Sequence, residues 1–172
     1  MRPQIKILLM IPVLSVLLLI FSCNKQDTSP RVGAGVGNIL PEFALKNADG
    51  DTVRLSDFNG KIVLIEMWAS WCGYCNTEAP ALNALYADYK AKSFEIIGIS
   101  IDVNPSAWKN KVKDHGITFT QVNDSRGFDA PVIEAYNVSS IPKMILLNED
   151  GVVVLITTKA IEVKAYLQRQ FQ

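Results

Sequence analysis

Residues 61–75 read KIVLIEMWASWCGYC, and this stretch decides the fold. After Lys61 it continues as an apolar run interrupted by Glu66, a pattern typical of a strand buried on both faces of a sheet. From about Tyr74 to Lys90, apolar residues recur at helical spacing, which predicts a helix. Cys72 and Cys75 therefore lie where a central strand gives way to a helix.

The rest of the chain also alternates strands and helices. A turn signal at Asn47–Gly50 separates two short extended segments, so a hairpin opens the domain. Phe94–Ile101 predicts a second buried strand, and the turn at Asn148–Gly151 predicts a closing hairpin before a last helix. This order predicts an α/β, thioredoxin-like fold, with a central mixed β-sheet flanked by helices and an extra N-terminal β-hairpin.

The N-terminus has the pattern of a targeting segment. Arg2 and Lys6 precede an apolar run over residues 7–21, which is shorter than the roughly 20 residues that span a bilayer. The run ends in Ile20-Phe21-Ser22-Cys23, which resembles a bacterial lipobox and predicts lipidation of Cys23. A short uncleaved anchor, or an ordinary signal peptide with a chance cysteine, remains open; each would hold the domain outside the cytoplasm.

Three regions follow from this pattern. Residues 1–22 are predicted to be a lipoprotein signal peptide, and residues 23–38, polar and rich in glycine, to be a flexible tether. Residues 39–172 are predicted to form one thioredoxin-like domain, a length that suits a single hydrophobic core.

Charge excludes a nucleic-acid-binding surface as the main function. Arg2 and Lys6 account for two of the 17 basic residues, so from Cys23 onward 15 basic residues stand against 17 acidic ones. No basic excess is left for a phosphate backbone, and we expect no nucleic-acid partner.

The chemistry is expected at Cys72 and Cys75. Cysteines three residues apart in a first helical turn lie on one face, close enough for a Cys72–Cys75 disulfide to open and close. The helix N-terminus favours a thiolate at Cys72, which we expect to be the nucleophile, whereas Cys75 is one turn deeper and would resolve the mixed disulfide.

Two structural alternatives can be weighed against redox activity. A structural zinc site needs four ligands, but with Cys23 lipidated only Cys72, Cys75 and His115 remain, so we expect no metal. A purely structural disulfide is harder to exclude, although a bridge across two residues closes almost no loop and constrains the unfolded chain little.

These residues also carry a family resemblance. The stretch from Leu40-Pro41 through Cys75, Glu78-Ala79-Pro80 after it, and Ile141-Pro142 further on resemble the TlpA/ResA-like branch of the thioredoxin superfamily, and the match covers roughly residues 40–171. The resemblance implies extracytoplasmic thiol:disulfide exchange without a bound cofactor. It also implies electrons from a membrane thiol protein, often passed to disulfides of exported proteins such as apocytochromes during cytochrome c maturation.

The resemblance assigns roles to further residues. Ile141-Pro142 corresponds to a cis-proline that faces the cysteine pair and leaves the preceding backbone free to bind an extended substrate. Lys143 stands where the family commonly has Thr. Trp71 is expected to shield the thiolate and contact substrate, with simple packing as the alternative. Gly73 and Tyr74 form the dipeptide that tunes the redox potential.

Two acids are expected to tune the cysteines. Glu66, buried in its strand, should have a raised pKa and exchange a proton with Cys75 through water. Pairing with a lysine, or access to solvent at the sheet edge, is the alternative. Glu78 matches an acid that tunes the pair in ResA-like proteins, and its alternative is an ordinary solvated charge. His115 is expected to end a helix, far from the chemistry.

Several functions remain open from the sequence. The preferred one is a reductase, lipid-anchored in a bacterial cell envelope, facing the periplasm and acting as a monomer. An oxidase or isomerase in oxidative folding is the main alternative. A thiol peroxidase is disfavoured because Ala69 stands where that class has Thr, and a redox-inert binding module would leave both cysteines idle.

Overall fold

A computed structural model of the chain describes residues 29–172. The predicted signal peptide and the predicted lipidation site at Cys23 lie outside the described residues. Within residues 29–172, no helix combines the length and the apolar character that crossing a membrane requires.

The described residues form a mixed sheet of seven strands in the order β2-β1-β5-β4-β3-β6-β7. Strands β3, β4 and β5 are parallel to one another, whereas β1, β2, β6 and β7 join by antiparallel pairing. The strands are β1 (Ala44–Asn47), β2 (Thr52–Arg54), β3 (Ile62–Trp68), β4 (Phe94–Ser100), β5 (Thr120–Asn123), β6 (Lys143–Leu147) and β7 (Val153–Thr157). The predicted hairpins at both ends of the domain are confirmed.

Four α-helices cover the two faces of this sheet: α1 (Gly73–Tyr89), α2 (Pro105–Asp114), α3 (Pro131–Ala135) and α4 (Ala160–Gln170). Every residue of β3 and β4 is buried, including the acids Glu66 and Glu95. Burial on both faces explains why both strands are continuous apolar runs in the sequence.

The sheet places the loops after β3, β4 and β5 along one edge, because these three strands are parallel and adjacent. In open α/β sheets, ligands bind beyond the carboxyl ends of the strands. The loop after β3 carries Cys72, so the residues that follow β4 and β5 are its neighbours.

The packed domain begins earlier than the sequence predicted. Val32 and Ile39 form a bridge, the Gly37 N–H donates to the Val153 carbonyl at 2.8 Å, and Ala34 is buried. The prediction that a flexible tether reaches Asn38 therefore does not hold for this last part, whose backbone hydrogen bonds hold it on the domain.

Candidate functional site

Cys72 and Cys75 form a disulfide at the start of α1, with their Cα atoms 5.3 Å apart. Cys72 has extended backbone angles and is the N-cap of the helix. Its Sγ accepts the backbone N–H of Cys75 at 3.1 Å. The predicted position of Cys72 at a helix N-terminus is thus confirmed, and an N–H of the first helical turn donates to its sulfur.

The two cysteines are shielded to different degrees. Cys72 is 6% exposed and Cys75 is 2% exposed, so an approaching thiol or disulfide meets Cys72 first. This agrees with the prediction that Cys75 lies deeper.

A buried carboxylate holds the loop between β3 and Cys72. Asp102 Oδ2 accepts the backbone N–H of Ser70 at 2.8 Å, and its Oδ1 accepts the Ser70 hydroxyl at 2.6 Å. The Ser100 hydroxyl donates to Oδ2 at 2.8 Å. Asp102 therefore fixes the backbone two residues before the reactive sulfur.

A second set of contacts holds the same loop from the helix side. The Asn76 amide donates to the Ser70 carbonyl at 3.2 Å, and Asn76 Oδ1 lies 2.9 Å from His115 Nε2. His115 does end α2, as predicted, but the prediction that it lies far from the chemistry is wrong. Only Asn76 separates it from the loop, a contact between segments that sequence spacing does not reveal.

Glu66 lies in the interior of β3 and is buried. Burial, with a smaller contribution from the negative charge of Glu78, raises the pKa of Glu66 to about 8. The side chain therefore holds a proton at neutral pH and can release it just above.

Glu78 is not a freely solvated helix charge. Its Oε2 accepts the backbone N–H of Ala160, the first residue of α4, at 2.7 Å. Lys159, the N-cap residue of α4, makes no side-chain cap of its own. Glu78 on α1 therefore caps α4 from a neighbouring helix, and its charge acts on Glu66.

The Ile141–Pro142 peptide bond is cis, as the resemblance implied. Lys143 follows this proline, and it has no hydroxyl group to donate. Its ammonium donates to the carbonyls of Tyr136 and Asn137 at 2.9 and 2.8 Å, beyond the end of α3. Burial lowers the pKa of Lys143.

The two tryptophans flanking the end of β3 differ sharply. Trp68 is buried, and its indole N–H donates to Gln121 Oε1 at 3.0 Å. Trp71 is 61% exposed, which favours the predicted surface role over packing. Gly73 and Tyr74 are exposed beside it.

The sequence did not single out Asp102, Asn76 or Phe128 as site residues. Asp102 carried a usable signal, since a polar residue directly after a buried strand lies at the edge where parallel strands end. Phe128, whose ring centroid lies 6.3 Å from that of Trp71, carried no such signal, because a lone aromatic residue in a loop does not reveal what it faces. Among residues 29–172, no cluster of three or more His, Cys, Asp or Glu side chains is arranged to hold a metal ion.

Comparison with known proteins adds to this geometry. The model of the AhpC/TSA family matches residues 36–156. A thiol-disulfide oxidoreductase ResA of Bacillus thuringiensis is 35% identical over 119 residues, covering 69% of this chain and 67% of the relative. The ResA of Geobacillus kaustophilus is 30% identical over 160 residues, covering 92% of this chain and 90% of the relative.

Solved structures agree with the predicted fold. The thioredoxin domain of a thiol-disulfide oxidoreductase from Bacteroides vulgatus superposes with a TM-score of 0.76 and 27% identity, covering 80% of this chain and 99% of that one. A thiol-disulfide oxidoreductase from Bacteroides fragilis gives a TM-score of 0.72 and 27% identity, over 76% of this chain and 98% of that one. The predicted thioredoxin-like fold is thereby confirmed.

Proposed function

We propose that this protein reduces disulfides of exported proteins through Cys72 and Cys75. The chain belongs to the AhpC/TSA family, in its thioredoxin-like ResA branch, and it is a thiol-disulfide oxidoreductase. The observation that carries the proposal is the N–H of Cys75 directed at Cys72 Sγ. A hydrogen bond and a helix N-terminus both favour the anion, and only the thiolate attacks a disulfide.

The reaction follows from the depth of the two sulfurs. The Cys72 thiolate attacks one sulfur of the substrate disulfide, forms a mixed disulfide and expels the other sulfur as a thiolate. Cys75 then loses its proton and attacks Cys72 Sγ, which restores the Cys72–Cys75 bridge and releases the second substrate thiol. Two electrons pass from the protein to the substrate.

In this proposal Glu66 takes the proton from Cys75 through water when its carboxylate is ionised, a fraction that is small at neutral pH and grows as the pH approaches 8. Its pKa of about 8 lies close to that of an ordinary thiol, so a proton can pass in either direction at small cost. Glu78 tunes this acid through its charge. Substrate backbone would bind beside Ile141 and Pro142, with Trp71, Gly73 and Tyr74 forming the rest of the contact surface.

The cellular setting is part of the same proposal. The lipobox-like Ile20–Cys23 supports a lipid anchor at Cys23 that keeps a monomeric domain at the bacterial membrane, facing the periplasm, with residues 1–22 removed. A membrane thiol protein would supply the electrons. Replacing Cys23 by Ser should release the protein from the membrane fraction, and unchanged fractionation would contradict the anchor.

The substrate can be trapped directly. A Cys75→Ser variant cannot resolve the mixed disulfide, so Cys72 should accumulate disulfide-linked partners on non-reducing gels, for identification by mass spectrometry. The matched control is Cys72→Ser, which should trap nothing because Cys75 is shielded. Equal trapping by both variants, or by neither, would contradict the assigned order of the cysteines.

The direction of electron flow needs its own measurement. Thiol content across a glutathione redox series gives the potential of the Cys72–Cys75 pair. A value well below about −200 mV supports a reductase, and a higher value supports the oxidase or isomerase alternative. Peroxidase activity is disfavoured by Ala69 three residues before Cys72, where that class has Thr.

A further inference from the structure

Three large apolar side chains are exposed at the edge of the sheet that carries the reactive cysteine. Trp71 is 61% exposed, Phe128 is 49% exposed and Val103 is 71% exposed. Trp71 follows β3, Val103 follows β4 and Phe128 follows β5. Because these strands are parallel and adjacent, all three residues lie at one edge of the sheet. We call these three residues the apolar rim.

Direct contacts join the members of the apolar rim. The ring centroids of Trp71 and Phe128 are 6.3 Å apart, with the ring planes tilted by 46°. Val103 lies against the backbone of Gly127, since a β-carbon on Gly127 would be 3.2 Å from Val103 Cγ2. Gly127 has a φ of +65°, a conformation that glycine adopts without strain, and this turn presents Phe128 to Trp71.

The apolar rim continues into a cleft. A concavity of about 680 Å³ begins at Phe128 and reaches Ser139. Apolar residues such as Pro131 and Ile133 line it together with the polar residues Asp129, Glu134 and Asn137. Ser139 lies two residues before Ile141 and its cis bond to Pro142. A cleft of mixed apolar and polar character thus leads from the ring that contacts Trp71 toward the segment that precedes the cis-proline.

We propose that the apolar rim selects disulfides whose cysteines are flanked by large apolar residues in an extended segment. This rests on the proposed function and names the substrate class of the same site. Such segments are buried in folded proteins and exposed in chains that have not yet folded. Exposed aromatic side chains next to a reactive sulfur contribute binding energy when they cover apolar groups of a substrate.

The selection acts before any bond is exchanged. Apolar flanking residues contact Trp71, Val103 and Phe128 while the Cys72 thiolate approaches the substrate sulfur. Exchange then proceeds in the same two steps, so the atoms and electrons transferred are unchanged. The apolar rim alters the rate of mixed-disulfide formation and leaves the overall equilibrium untouched.

Two synthetic peptide disulfides test the proposal with the reduced full chain. They have equal length and charge and differ only in the neighbours of the cysteine, Leu and Phe in one and Ser and Gln in the other. Second-order rate constants for peptide thiol release are divided by the rates of the same peptides with dithiothreitol. The quantity compared between variants is the normalised rate constant for the apolar peptide divided by that for the polar peptide.

The wild-type protein should prefer the apolar peptide, and Phe128→Ser and Val103→Ser should each lower the ratio by about two- to tenfold. Ile161→Ser, which replaces an exposed apolar residue of α4, is the matched control and should leave the ratio unchanged. Both tested side chains are exposed, so the variants are expected to fold; circular dichroism checks this.

The outcomes separate the two proposals. A wild-type ratio near one, or a ratio that survives both substitutions, overturns selection by the apolar rim while disulfide reduction stands. A ratio that falls equally in Ile161→Ser also overturns it. Failure of the wild-type protein to reduce either peptide removes the proposed function itself, and the selection with it.

Discussion

The carboxylate of Glu78 accepts the backbone N–H of Ala160 at 2.7 Å, which joins the helix of the cysteine pair to the last helix of the chain. The same carboxylate adds to the raised pKa of Glu66. One side chain therefore contributes to stability through a helix cap and to acid–base chemistry through its charge. Substitutions that keep one property and remove the other can separate these two contributions.

Glu78→Gln should keep the hydrogen bond to Ala160 and lose the charge. We expect the pKa of Glu66 to fall toward its ordinary value of 4.5, because one of the two causes that raise it is removed. Burial remains, so the pKa stays above 4.5. Carboxyl carbon chemical shifts followed against pH measure this directly, and an unchanged Glu66 titration would contradict the coupling.

Glu78→Ala removes the cap as well. At pH 5.5, where Glu66 is protonated in the folded protein, the free energy of unfolding should fall by about 1 kcal/mol, the usual cost of losing a helix cap. Glu78→Gln should cost less at that pH. Equal losses in the two variants would mean that the hydrogen bond to Ala160 contributes nothing.

Glu66 should make stability depend on pH. Its folded pKa is about 8 and its unfolded value is near 4.5, so the folded state binds the extra proton between these pH values. The free energy of unfolding should therefore fall as pH rises from about 4.5 to about 8, by several kcal/mol in all, and then level off.

Glu66→Gln should remove this decline, because the amide does not titrate, and should slow disulfide exchange near neutral pH. Denaturant unfolding of the oxidised protein at several pH values gives the first result, and a pH–rate profile gives the second. If the variant kept the wild-type slope of stability and the wild-type rate profile, Glu66 could be neither the titrating group nor the proton acceptor.

The sequence predicted the parts of the site that depend on local order. β3 was recognisable because burial on both faces demands a continuous apolar run, and Glu66 stood out against it. Cys72 and Cys75 could be placed because strand, loop and helix start follow one another directly in the chain. Local geometry was enough for these residues.

The remaining features depend on contacts between distant segments. The bond between Asp102 and Ser70 spans 32 residues, and the contact of His115 with Asn76 spans 39. The spacing of apolar residues along the sequence does not show which distant residues form such pairs. Residues 32–38 read as a tether because their three glycines offer little to pack, yet their backbone pairs with the Val153 region.

Asp102→Ala should test whether the buried carboxylate positions the redox loop. The variant leaves the Ser70 N–H and the hydroxyls of Ser70 and Ser100 without their acceptor, which should cost at least about 2 kcal/mol of unfolding free energy. The loosened loop should also slow exchange, as measured with a peptide disulfide at fixed pH. Ser70→Ala, which keeps the backbone N–H bond, should have smaller effects on both.

A control for general destabilisation is Asn104→Ala. Asn104 caps α2 by accepting the backbone N–H of Ser106. Its removal should lower the free energy of unfolding by about 1 kcal/mol without altering the exchange rate. An Asp102→Ala protein that exchanges at the wild-type rate would show that the loop holds its position without Asp102.

Gly98 provides the last prediction, because the Gln121 amide lies where a β-carbon of residue 98 would stand. Gln121 is buried and accepts the Trp68 indole N–H, so it cannot move aside without breaking that bond. Gly98→Ala should therefore lower the free energy of unfolding by about 1–3 kcal/mol. In the double variant with Gln121→Ala the new methyl group has room, so its cost should largely vanish. Denaturant unfolding of the four proteins gives the coupling energy, and strictly additive losses would place the strain somewhere other than between these two residues.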